Sequence, residues 1–136
     1  MKIDLKKIER LAASNNVDLV VLYGSQLTNY VNARSDIDIA VHVKTAKIEY
    51  PAFSKMLGDF VGIFGDKLDL VLLNEAPPLL KYQIAVYGKV LYEEKEGLFD
   101  SFKILSSRFY ADTKKFRDLN SVYIDNFLKG VIPIGR

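Results

Sequence analysis

The chain has 136 residues, 49% of them apolar and 26% charged, with 8 Gly, 4 Pro and a formal charge of +2. Those figures describe a chain able to close a hydrophobic core, and they argue against disorder or a strong field for nucleic acid or membrane. With no cysteine, a disulfide scaffold, a zinc–thiolate centre and a thiol nucleophile are excluded.

No run of about 18 apolar residues is present, and MKIDLKKIER has charges at helical intervals instead of an apolar leader core. The expectation is a cytoplasmic protein without a membrane span. Residues 1–136 are expected to form one domain, with a core over about 17–94 and a closing helix over about 97–129.

Leu5, Ile8, Leu11 and Ala12 recur among charges on one side of a first helix, which Ser14-Asn15-Asn16 ends. VDLVVLYG, residues 17–24, is a β-branched apolar run halted by Gly24, the pattern of a buried strand. A polar loop, 25–35, leads into DIDIAVHV, residues 36–43. There Ile37, Ile39, Val41 and Val43 alternate with Asp36, Asp38, Ala40 and His42, as the two faces of a strand require.

A second helix begins near Tyr50 with Pro51 in its first turn, and Gly65 stops it. Phe53, Met56, Leu57, Phe60 and Val61 form its apolar side. LDLVLL, 68–73, is a third strand carrying one charge, Asp69. Pro77 and Pro78 open a helix that ends at Gly88, and a short strand over 90–92 follows.

From Gly97 to Gly130 neither Pro nor Gly intervenes. Leu98, Phe102, Leu105, Phe109, Phe116, Leu119 and Tyr123 keep a 4-3 spacing, which predicts one long helix. It is longer than so small a sheet can cover, so its far end should be left for a partner or a second copy. Helices and strands in this order imply an α/β (α+β) fold, a small mixed sheet of about four strands flanked by helices.

The chemistry lies in acids placed where strands disfavour them. Asp36 and Asp38, two residues apart, point to the same face with Cα atoms roughly 6 to 7 Å apart. Two carboxylates at that spacing suit a hard cation such as magnesium, which takes oxygen ligands and shares them with substrate phosphate. Asp69 is the natural third ligand if its strand lies alongside. Upstream, Gly24-Ser25 ends a strand in a tight turn, where glycine lets the backbone approach and the serine hydroxyl and exposed N–H groups can hold phosphate oxygens. His42 shares the parity of the two acids. Tyr23 and Tyr30 flank the loop, with core packing the simpler role for Tyr23.

Gly24-Ser25, ten residues, then Asp36-Ile37-Asp38 resembles the GS-x10-DxD signature of the DNA polymerase β-like nucleotidyltransferases. In size the chain resembles their minimal members, and Lys67–Glu94 is similar to the same stretch in antitoxins of the MntA type, which are paired with HEPN-domain toxins. The resemblance implies the polymerase β-like fold with a long C-terminal helix. It also implies magnesium-dependent transfer of AMP from ATP to a tyrosine of a HEPN toxin, a ribonuclease, which is thereby silenced.

On that resemblance Gly24 and Ser25 bind the triphosphate, Asp36 and Asp38 hold magnesium, and Asp69 completes the metal site and helps deprotonate the acceptor. The partners implied are the toxin and ATP, with no direct contact to nucleic acid. The chain departs from the family in its loop, where Gln26-Leu27-Thr28-Asn29 stands in place of an Arg and an Arg-Gly pair. Arg34 is the guanidinium left to meet phosphate there. That departure keeps a second reading in view, an antitoxin acting by binding alone; a nucleotidyltransferase of small molecules is a third.

Overall fold

The computed structural model describes residues 3–24, 36–45 and 47–130. Helix α1 (Leu5–Ser14) opens with a side-chain cap: the Asp4 carboxylate accepts from the Lys6 and Lys7 backbone N–H groups. It buries Ile8 and Ala12 and leaves Leu5 exposed, so its apolar stripe is narrower than the spacing predicts. Strand β1 (Val17–Tyr23) follows and is almost wholly buried.

Strand β2 (Ile37–Val43), helix α2 (Tyr50–Phe64) and strand β3 (Leu68–Leu72) form the next unit, with β2 and β3 parallel. A 3-10 turn over Leu73–Glu75 leads to helix α3 (Pro78–Tyr87) and strand β4 (Lys89–Glu93). The sheet order is β3-β2-β1-β4, mixed in sense because β1 runs antiparallel to both neighbours. The four strands and their flanking helices agree with the sequence, with β4 a residue longer at each end than the expected 90–92.

Each face of the sheet is covered differently. Val20, Leu22, Ile39, Val41 and Val43 face α1 and α2, meeting Ile8, Met56 and Phe60, all fully buried. The α2 side is Met56, Phe60 and Phe64, with Gly65 at φ 89° ending the helix in a conformation that favours glycine. The opposite face carries a smaller cluster, Leu19, Val21, Ala40, Leu73, Ile84 and Phe99, beneath α3 and helix α4 (Leu98–Asp112). The Glu93 carboxylate accepts from the backbone N–H of Gly97 and Phe99, tying β4 to the start of α4.

The long C-terminal helix is present as two segments, α4 and α5 (Lys114–Leu128), divided at Thr113. The Thr113 hydroxyl donates to the Phe109 and Tyr110 carbonyls, a back-bond that bends helices. Arg117 donates to that same hydroxyl and lies 3.6 Å from the centre of the Tyr110 ring, which itself stacks at 4.0 Å on Tyr82 of α3. Beyond this staple the apolar side chains Phe116, Leu119, Val122 and Leu128 are exposed, as the helix length predicts.

Replacing Phe60 by Ala should cost about 3–5 kcal/mol, because its fully buried ring is central to the larger cluster. Urea unfolding of the two proteins measures the difference.

Candidate active site

Strand register brings the predicted acids together. Asp38 on β2 lies opposite Asp69 on the parallel strand β3, and opposite Tyr23 on the antiparallel strand β1. Register partners share a face, and neighbouring strands are roughly 4.8 Å apart. Asp36 precedes β2 by one residue and has the same parity. Three carboxylates thus gather at one end of the sheet, on the face that α3 and α4 only partly cover. Asp36 and Asp69 are exposed and Asp38 is half-buried.

Gly24 completes this end. Its φ of 82° is a conformation that L side chains rarely adopt, and a Cβ there would lie 2.9 Å from the Asp38 carboxylate carbon. The missing side chain is therefore what lets Gly24 lie directly against the Asp38 carboxylate. Ser25 and Arg34, the other two expected phosphate ligands, lie outside the described residues, as does Tyr30.

Tyr23 packs against the smaller cluster, as expected for a core side chain. Its phenol is also close enough to the acids to feel them. Burial, followed by the charges of Asp38 and Asp69, pushes its pKa from 10.0 up to about 12. One phenol thus lies within the field of two carboxylates from different strands.

As donors, the three acids offer the hard oxygens that magnesium prefers. Among the described residues no three such side chains already enclose a space for an ion. An all-protein cage is not what magnesium usually needs, since one or two carboxylates with substrate phosphates and water commonly fill its octahedron. The donor chemistry therefore fits an ion shared with a bound triphosphate.

His42 has the parity of the acids but lies at the far end of β2, four residues on from Asp38. Its Nδ1 is 2.7 Å from Oδ1 of Asp18. Residues 18 and 19 together oppose the single residue His42, and this bulge breaks the alternation of β1 at Asp18. A regular strand pattern contains no sign of it, so the pair is not visible in the sequence.

Residues 6–97 match the family described as polymerase beta, nucleotidyltransferase. The chain belongs to that family. It is 34% identical over 122 residues to the protein adenylyltransferase MntA of Aphanizomenon flos-aquae, covering 82% of this chain and 80% of the relative. Among solved structures it is similar to a toxin–antitoxin with AMP-PNP, at a TM-score of 0.74 and 24% identity over 93% of this chain and 99% of the other. It is also similar to an MNT antitoxin in complex with tri-AMPylated HEPN toxin of Shewanella oneidensis. That match has a TM-score of 0.68 and 24% identity, over 91% of this chain and 95% of the other. At these identities the structures establish the polymerase beta-like fold.

The raised pKa of Tyr23 has a signed consequence for this nucleotidyltransferase. Between pH 10 and about 12 the folded chain keeps a proton that the unfolded chain releases, so stability falls as pH rises through that window and is unaffected below it. Tyr23→Phe should remove that part of the alkaline loss. Denaturant midpoints at pH 8, 10 and 11 for both proteins test it, and parallel curves would contradict the assignment.

Proposed function

We propose that this chain transfers AMP from ATP to a tyrosine hydroxyl of a HEPN-domain toxin and so neutralises it. The observation that carries this reading is the meeting of Asp38, Asp69 and Gly24 at one end of the sheet, in a member of the polymerase beta family. The named activity of its 34%-identical relative supports AMP as the group transferred. A protein acceptor suits a chain whose last two helices leave Leu105, Phe109, Phe116 and Leu119 exposed, because a small acceptor would need enclosing walls.

In the reaction the acceptor oxygen forms a bond to the α-phosphorus of ATP, the bond from that phosphorus to the bridging oxygen breaks, and pyrophosphate leaves. Asp36 and Asp38 would hold magnesium, with Asp69 completing the set. The ion supplies charge neutralisation at the phosphoryl oxygens and the leaving group. Asp69, the exposed carboxylate on the edge strand, accepts the proton of the attacking hydroxyl. Gly24 and Ser25, with Arg34 from the same loop, bind the triphosphate and align it for displacement, which is where most of the acceleration arises.

Binding without chemistry is the second reading, favoured by Gln26-Leu27-Thr28-Asn29 where the family has arginines. The two separate cleanly. Intact mass of the toxin after incubation with this protein, ATP and magnesium should rise by one or more adenylyl groups. Asp36→Asn/Asp38→Asn should lower the rate by roughly 10³-fold or more without unfolding the chain. An unmodified toxin blocked equally well by both proteins would instead establish neutralisation by binding.

A further inference from the structure

A cavity of about 500 Å³ lies between β2, α3 and α4, at the end of the sheet away from the three acids. His42 lines it, four positions on from Asp38 and about 13 Å along β2. Such a volume is ordinary for a small-molecule site.

Its walls have two characters. Leu73, Phe102 and Phe109 supply apolar and aromatic surface, while His42, Lys81 and Ser106 supply polar groups. Asn74 also lines it, but its amide is engaged: the carbonyl accepts from the Val43 N–H and the amino group donates to the Val43 carbonyl. The other three are arranged differently. Lys81 forms no ion pair among the described residues. His42 is held at Nδ1 by Asp18; a carboxylate accepts, so Nδ1 carries the hydrogen and Nε2 presents a lone pair that accepts from a donor.

Ser106 is the polar side chain that is buried among the described residues, at 6% exposure. It follows Phe102 by one helical turn, on the side of α4 that also turns Phe99 inward, where a leucine would close the space by packing. The sequence places a small hydroxyl there instead. A bulge that aims a carboxylate at the histidine, a cation without an ion-pair partner and a small buried hydroxyl all serve one cavity, and none takes part in the phosphoryl chemistry described above.

We propose that this cavity is a second binding site, for a small aromatic anion. The carboxylate or phosphate head meets Lys81, and the ring lies against Phe102 and Phe109. Size and wall chemistry admit either a nucleoside monophosphate or an aromatic carboxylate.

The test uses the Asp36→Asn/Asp38→Asn protein in EDTA, so that the carboxylate end of the sheet holds no metal-bound nucleotide. It is titrated calorimetrically with AMP, with 1-naphthoate and with adenosine as the uncharged control. The expected result is saturable 1:1 binding of at least one anion, with adenosine at least about tenfold weaker. Lys81→Ala should raise the Kd by a similar factor, and Ser106→Leu should abolish binding by filling the space. Lys81 is half-buried on a helix, so its variant remains informative should Ser106→Leu fail to fold. Binding of neither anion, equal binding of adenosine, or an unchanged Kd in Lys81→Ala would each overturn the proposal.

Discussion

Asp38 occupies the position on which the site depends, because three separate elements converge on it. The β1–β2 register sets Tyr23 opposite it, the β2–β3 register sets Asp69 opposite it, and Gly24 lies directly against its carboxylate. A slip of one residue in β2 would turn both Asp36 and Asp38 toward α1 and α2 and bring Ile37 and Ile39 to the other face. The apolar residues of β2 prevent this: Ile39, Val41 and Val43 are buried against α2, and their burial holds the acids in place. Core packing on one face thus fixes the chemistry on the other.

That division runs through the whole molecule. The face toward α1 and α2 is filled by large side chains with essentially no exposure, which is where a domain of this size gains its stability. The face toward α3 and α4 has a smaller cluster, with the carboxylates at one end and the histidine-lined cavity at the other. Incomplete packing is costly, and it is confined here to the side where a substrate or ligand needs room.

Much of this was legible from residue patterns. The alternation of DIDIAVHV gave both the strand and the common face of its acids, and the apolar run ending at Gly24 gave the buried neighbour. The single charge in LDLVLL marked Asp69, though its place beside Asp38 depended on strand order, which periodicity does not encode. Other features were hidden for physical reasons. Thr113 is a weak local breaker, and the division of the last helix depends on Arg117, Tyr110 and Tyr82, brought together only by folding. The bulge at Asp18 is likewise set by pairing with β2, and the resulting Asp18–His42 contact spans 24 positions. Ser25 and Arg34, read from the loop motif, lie outside the described residues.

The edge position of β3 has a consequence beyond the reaction. Among the described residues this strand pairs only with β2, and its sequence, LDLVL, is short and apolar apart from Asp69. A free edge of that kind is a template for strand addition by another molecule, and natural sheets commonly guard such edges with a charge. Asp69 is the charge within it. The carboxylate to which we assign the acceptor's proton is thus also the charge that guards this edge. Neutralising it would leave an uncharged edge strand, open to pairing with a second copy.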